Sequence, residues 1–377
     1  MAAMAALAGT EHHPHARAVL GAALPPGGRP SHAYLFHGPA GTGKRTAARA
    51  FAGELLAEGA GDPHAVRSRV ARGAHPDLTW VVPSGAHELL VSDVDEAVVS
   101  ASARTPFEAT RRVFVIEGAD TMIEQAANKM LKTLEEPPPF VHLLLLTERP
   151  TEGMETIASR CQHVRFDPLP AEDVAQRLVA EQGVEPETAR AAARLSLGDA
   201  AHARELAGAE GVRLRAAAEE FARAAKQRRM GERPWRALLA EGRRRSETVL
   251  AELNEAHERQ LEYLSQRERR RAATEHAERV RRAQRRASTR AVDLGLTLVA
   301  LWYRDAACVA WGAPELACHA DRPQELAAEA DGADPQRLRR AVELVEDTRQ
   351  RLSLNVSEEL ACEALGYRLE GLLADGR

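Results

Sequence analysis

The chain has 377 residues, 44% of them hydrophobic, 28% charged and only 4% aromatic, so its core has to be built from Ala, Leu and Val, as in packed helices. That length predicts two or three domains with a sizeable core and disfavours an aromatic-rich β-sandwich. A formal net charge of −4 excludes a global attraction to nucleic acid or to an anionic membrane, so any DNA contact has to be local.

His12, His13 and His15 open the chain's first helical pattern. Pro14 breaks a helical metal-ligand spacing there, so these histidines are expected to be the solvated start of a helix. Residues 34–37 read as a buried strand running into the Gly-rich turn Gly38-Pro39-Ala40-Gly41-Thr42-Gly43-Lys44, with a helix over 45–57. Further strands are predicted at 78–82, 113–116 and 141–146, separated by helical patterns around 94–103 and 123–134. Continuous apolar strands alternating with helices predict a mostly parallel sheet covered on both faces. Pro137, Pro138 and Pro139 stop the 123–134 helix, because proline cannot donate to the helix ladder.

The remainder is helical in period. The expected division is an α/β domain over 1–168, a small helical lid over 169–208, and an all-helical domain over 209–377. That last domain carries an Arg/Glu-rich insertion at about 241–290, whose arginines outnumber its glutamates and whose apolar residues (Val249, Leu250, Leu253, Leu261, Leu264) recur only at intervals. It reads either as a solvated helix or hairpin laced with opposite charges, or as a basic arm for DNA or a partner. Trp302, Tyr303 and Trp311 fall at spacings that suit burial among helices, in the core or in packing between subunits, rather than a base-stacking platform. Cys161, Cys308, Cys318 and Cys362 are scattered, the start lacks the pattern of a secretory signal, and no apolar run is long enough to span a bilayer. The expectation is a soluble cytoplasmic protein with reduced thiols and no membrane contact.

Strand, glycine turn and helix are the context a phosphate loop requires. Glycines let successive N–H groups face an anion, the helix N-terminus adds positive potential, and Lys44, one of only four lysines, reaches the outer phosphates. The candidate phosphate-binding set is Gly38, Gly41, Thr42, Gly43, Lys44, Arg45, Thr46, Glu117 and Thr147. Two positions, 45 and 118, do not suit hydrolysis. Arg45 stands where a hydroxyl residue ordinarily ligates magnesium, with Thr46 one position late. The strand ending Val115-Ile116-Glu117-Gly118 offers Glu117 for a metal but only Gly118 where a second carboxylate should polarise water. Asp120 reads as the N-cap of the following helix.

Four stretches carry a resemblance. They are Ser31-His32-Ala33-Tyr34-Leu35-Phe36-His37-Gly38-Pro39, His75-Pro76-Asp77-Leu78, Asn128 through Leu134-Glu135-Glu136-Pro137-Pro138, and Ser159-Arg160-Cys161. On these the chain resembles the delta-prime family of bacterial DNA polymerase III clamp-loader subunits, within the AAA+ superfamily. The likeness covers about the first 200 residues and, loosely, the segment from Leu354 and Asn355 to Ala361, which looks like the family's collar helix. It implies an AAA+ domain of P-loop type, a lid and a collar. It also implies a hetero-pentamer with gamma/tau and delta subunits, and action on a sliding clamp and primer-template DNA. By the same likeness Arg160 is the catalytic residue, an arginine supplied in trans to a neighbouring gamma/tau ATP site, and Lys129 and Lys132 face DNA. The lid position where gamma/tau subunits carry a nucleotide-sensing arginine is Gly198 here, and Thr147 stands at a phosphate-sensing position. Relatives hold a zinc with cysteines ahead of the His-Pro-Asp-Leu motif; residues 61–74 have none, so no zinc or other metal is expected. Two readings follow. One is a delta-prime-type subunit that does not hydrolyse ATP, with ATP or ADP bound statically or absent. The other is a gamma/tau-like or other AAA+ ATPase using Lys44 and Glu117. Cys161 has no sequence neighbour to activate it as a nucleophile.

Overall fold

The apolar runs become strands of one parallel sheet: β1 (Ala33–His37), β2 (Leu78–Val81), β3 (Arg112–Ile116) and β4 (Val141–Thr147), joined by a fifth, β5 (Gln162–Arg165), in the order β2-β3-β4-β1-β5. The computed structural model describes residues 7–25, 27–83, 89–148, 150, 152–261, 266–352 and 356–374. β5 carries no apolar run: of its four residues only Val164 is buried, as suits an edge strand, and hydrophobic pattern alone does not reveal it. Side-chain alternation splits the core into two layers. Tyr34, Phe36, Val113, Val115 and Leu144 meet Leu20, Phe51, Leu55 and Val70 on one face; Leu35, Phe114, Ile116, Leu143 and Leu145 meet Val94, Val98, Met130 and Ile157 on the other.

The helices of this unit are α1 (Pro14–Ala23), α2 (Lys44–Ala57), α3 (Pro63–Ala71), α4 (Val91–Val94, continued by a π-helical stretch Asp95–Ser100), α5 (Glu124–Glu135) and α6 (Glu155–Ala158). Asp62 caps α3, its Oδ1 accepting from the N–H groups of His64 and Ala65 at 3.1 and 3.0 Å. α5 stops ahead of the three prolines, as expected. Asp120 is not its cap. Ile123 holds that position, and Asp120 lies in a short 3₁₀ turn, Ala119–Thr121, where its carboxylate accepts from Thr147.

The chain forms two compact units: Met1–Pro170 with Gly198–Ala201, and Ala171–Leu197 with His202–Arg377. The residues read as lid and as all-helical domain therefore fall together in the second unit, except six of the lid, Leu169, Pro170 and Gly198–Ala201, which group with the first. The later helices are α7 (Ala171–Gln182), α8 (Pro186–Leu195), α9 (Ala200–Ala207), α10 (Ala209–Lys226), α11 (Trp235–Leu261), α12 (Gln266–Ala310), α13 (Pro323–Ala330), α14 (Pro335–Leu352) and α15 (Glu358–Ala374). Trp235, Phe221, Trp302 and Tyr303 are fully buried in the second unit, and the Tyr303 hydroxyl donates to the Ala222 carbonyl at 2.9 Å. Trp311 is 55% exposed and so is not part of the core, because α12 ends at Ala310 and the chain turns through Gly312 at φ 80°. Leu264, Leu354 and Asn355 lie outside the described residues. Among the described residues no helix is long and apolar enough to cross a membrane.

Candidate functional site

The turn after β1 has the backbone a phosphate loop needs. Gly38, Gly41 and Gly43 adopt φ of 141°, 68° and 100°, the region that favours glycine, and α2 starts at Lys44. A side chain at Gly38 has no room: its Cβ would lie 1.9 Å from the Phe166 carbonyl oxygen. The loop sits at the C-terminal end of β1, between β4 and β5, where parallel sheets place ligands.

The groups around the loop are already engaged with one another. Lys44 is buried, and its Nζ donates to the loop's own carbonyls, Gly38 at 2.5 Å and Pro39 at 2.6 Å. Burial pulls its pKa below the ordinary lysine value, against the opposing pull of Glu148, Asp199 and Asp120. The Thr42 hydroxyl donates to the Pro39 carbonyl at 2.8 Å, while Thr46 is exposed. The Arg45 guanidinium bonds the Glu117 carboxylate at 2.7 Å, and the Trp80 indole N–H donates to the same Oε1 at 2.5 Å. Arg49 in turn stacks its guanidinium 4.5 Å from the Trp80 ring centroid. The carboxylate that would serve a metal thus accepts from an arginine and a tryptophan. This donor set does not fit magnesium.

Backbone geometry also suits two further positions, 118 and 198, to glycine. Gly118 has φ 61° and its Cβ would come within 3.1 Å of Pro83 and 3.2 Å of Thr121. Gly198 has φ 88° and its Cβ would come within 2.8 Å of the Leu169 backbone, so an arginine there has no path out of the turn. Next to it, Asp199 reaches the loop: a Cβ on Gly41 would lie 1.9 Å from its Oδ1, which accepts from the Ala201 N–H at 2.8 Å. Thr147 is buried at the end of β4, donating to Asp120 at 2.8 Å.

His13 corrects the expectation of a solvated N-terminus. It is 2% exposed, its Nε2 lies 2.6 Å from the Thr42 carbonyl, and its ring packs 4.9 Å from Phe166. The residues before it close over the loop: Gly9 sits so near Gly43 that a Cβ on either would touch the other's segment.

Arg160 does not join this cluster. It is exposed in the turn after α6, donating to the Thr156 carbonyl at 2.8 Å and to Glu135 of α5 at 2.6 Å. Lys129, on the exposed face of α5, pairs with Asp95 at 2.5 Å; Lys132, one turn on, is exposed. Burial pushes the Cys161 thiol up to about 12, which removes its nucleophilic form at neutral pH. The His-Pro-Asp-Leu motif is structural: Asp77, fully buried, accepts from the N–H groups of Phe107, Glu108 and Ala109 at 2.5, 2.9 and 2.9 Å. Burial raises its pKa, but the three donors outweigh burial and hold it below the usual carboxylate value.

Sequence reasoning missed Trp80, Asp199 and Glu135. Asp199 had a signal, an acidic residue between a turn glycine and an Ala-rich helix; the others become partners only through folding.

Residues 19–170 match the family described as "DNA polymerase III, delta subunit". The "DNA polymerase III subunit delta'" of Bacillus subtilis is 39% identical over 173 residues, 45% of this chain and 51% of that protein. The protein of the same name from Pseudomonas aeruginosa is 38% identical over 136 residues, 35% of this chain and 42% of its own length. The "DNA polymerase III subunit tau" of Bacillus subtilis is 33% identical over 156 residues, covering 39% and 27%. The chain thus matches about half the length, or less, of these relatives.

Proposed function

We propose that this chain, whose residues 19–170 carry the sequence of the DNA polymerase III delta-subunit family, is a delta-prime-type clamp-loader subunit that does not hydrolyse ATP. It would work beside gamma/tau and delta subunits in a pentameric ring that loads a sliding clamp onto primer-template DNA. The observation that carries this reading is the pairing of Glu117 with Arg45 and Trp80. A carboxylate held in that way is withdrawn from metal binding, and Gly118 offers no base to activate water.

In the proposal Arg160 leaves Glu135 and inserts its guanidinium into a neighbouring subunit's ATP site, where it stabilises charge on the transferring phosphoryl group. Both partners of the Arg160–Glu135 pair are substantially exposed, which makes it a weak tie. Lys132, and Lys129 once released from Asp95, would face DNA. Static ATP or ADP is disfavoured by the carboxylates of Glu148, Asp199 and Asp120 around Lys44, which oppose a second anion. No zinc is part of the proposal; residues 61–74 are organised by the Asp62 cap of α3.

The test is ATP turnover by a reconstituted loader, with this chain as wild type or Arg160→Ala, and by the chain alone. An inert chain and an intact Arg160→Ala assembly that loses clamp- and DNA-stimulated turnover are expected. Lys44-dependent turnover by the chain alone, with no effect of Arg160→Ala, would make it a motor subunit.

A further inference from the structure

Residues 241–290 hold fourteen arginines and nine glutamates, a net charge of +5 in a chain whose total is −4. The structure shows how these charges are sorted. α11 and the first part of α12 pair as an antiparallel hairpin: a Cβ on Gly242 would meet Val292 and Ser288, and His257 stacks on His276 with ring centroids 3.8 Å apart. Val280, Ala283 and Ala287 are half-buried at helical spacing, on the side of α12 that carries His276. The outer side of α12 is different. Arg281, Arg282 and Arg285 are exposed, about 100° of arc apart at most and within about 6 Å along the axis.

The twelve residues 279–290 contain six arginines and no acid, so within that stretch the helix offers no i, i+4 ion pair. Among the described residues, Arg281, Arg282, Arg285 and Arg290 make no hydrogen bond or ion pair. Glu278, four residues before Arg282, is exposed and bonds none of them. Glu247, Glu252, Glu255 and Glu258 are exposed on α11, at helical positions opposite its half-buried Val249, Leu250 and Leu253, interspersed with the exposed Arg243, Arg244 and Arg259, of which Arg259 pairs with Glu255 at 3.2 Å. Two helix diameters, about 20 Å, therefore separate these carboxylates from the α12 arginines, more than twice the Debye length in physiological salt. The sequence also carries Arg267 and Arg271 fourteen residues before Arg281 and Arg285, the same i, i+4 pair repeated.

We infer that the outer face of α12 is a binding surface for the phosphodiester backbone of nucleic acid, read without sequence preference. An acidic protein segment would also meet the charge. It would ordinarily be anchored by apolar contacts as well, and no exposed large hydrophobic residue lies on this stretch of α12 among the described residues. A stripe of unpaired arginines with no apolar or aromatic element suits phosphates alone.

The test is fluorescence anisotropy of a labelled mixed-sequence 30-base-pair duplex with the full chain at 50–200 mM NaCl. The parallel sample is the Arg281→Gln/Arg282→Gln/Arg285→Gln variant. A control, Arg29→Gln/Arg72→Gln/Arg104→Gln, makes the same change in net charge on the other unit. Removing three phosphate contacts is expected to make the slope of log K against log[salt] shallower by about 2.7 and to weaken binding by tenfold or more at 50 mM. The control keeps the wild-type slope, and circular dichroism establishes that both variants are folded. A single-stranded 30-mer distinguishes the two forms of the ligand, since its slope per contact is smaller, about 0.7 against 0.9. Equal binding by wild type and triple variant overturns the inference. So does wild-type binding of a poly-glutamate peptide, lost in the triple variant, with no binding of either nucleic acid. The assay uses the chain by itself, so its outcome is independent of whether Arg160 acts on a neighbour.

Discussion

Asp77→Ala is expected to loosen the first unit by about 3 kcal/mol. The carboxylate is fully buried and accepts three N–H bonds from consecutive residues of the loop before β3. Hydrogen bonds to a charged group are worth about 1.5–3 kcal/mol each, but they share one carboxylate and its burial costs part of the gain. The loop can also recover some hydration once released, since Phe107 is 82% exposed. The sum of these effects is nearer two bonds than three. Asp77→Asn, which keeps one acceptor oxygen, should lose about half as much. The sign with pH follows from the depressed folded pKa: the stabilisation is present above the unfolded value, near 4, and is lost as pH falls through the folded one. Urea unfolding at pH 7 and pH 3.5, with hydrogen exchange of peptides covering 104–112, measures both effects. A loss under about 1 kcal/mol at pH 7, or a gap between wild type and Asp77→Ala that does not narrow in acid, refutes the account.

Burial, opposed by its bond to the Ser31 carbonyl and reinforced by Arg111 and His32, pushes His142 down to about 4. Because the unfolded chain takes up this proton near pH 6.5, stability should fall by about 2 kcal/mol between pH 7 and pH 5, and His142→Gln should flatten that dependence; equal slopes would exclude His142 as the cause. Gly198→Arg, which puts back a nucleotide-sensing side chain, is expected to cost about 2–3 kcal/mol through strain against Leu169 and to create no ATP turnover; an unchanged melting temperature would contradict the geometry. Arg45→Thr removes a guanidinium that is 72% exposed, so stability should change by less than about 1 kcal/mol. In that variant millimolar magnesium should perturb Trp80 fluorescence through the released Glu117, an effect absent from wild type; no response in either protein would show that Arg45 is not what excludes the metal.

Local chemistry made the glycine turn and its flanking strand and helix legible. Glycines at 38, 41 and 43 and a lysine at 44 mark a strand-to-helix turn, and buried parallel strands announce themselves as unbroken apolar runs. The same reasoning marked Arg45 and Gly118 as unsuited to hydrolysis, because a side chain that cannot ligate or is missing is visible in one dimension; Gly198 stood out only through the resemblance to clamp-loader subunits. Only the tertiary structure decided what stands in their place. The Arg45–Glu117 bond spans 72 residues and needs α2 beside the end of β3, and Trp80 joins them only because β2 pairs with β3. β5 escaped notice because one buried valine in four residues makes no pattern, and the place of Trp311 outside the core was not legible because periodicity does not say where a helix stops. Asp77 belonged to a motif whose purpose was invisible until the chain brought 107–109 to it. Composition and spacing fix what each residue is able to do; which residues become partners depends on contacts between distant parts of the chain, and those exist only once the sheet is assembled.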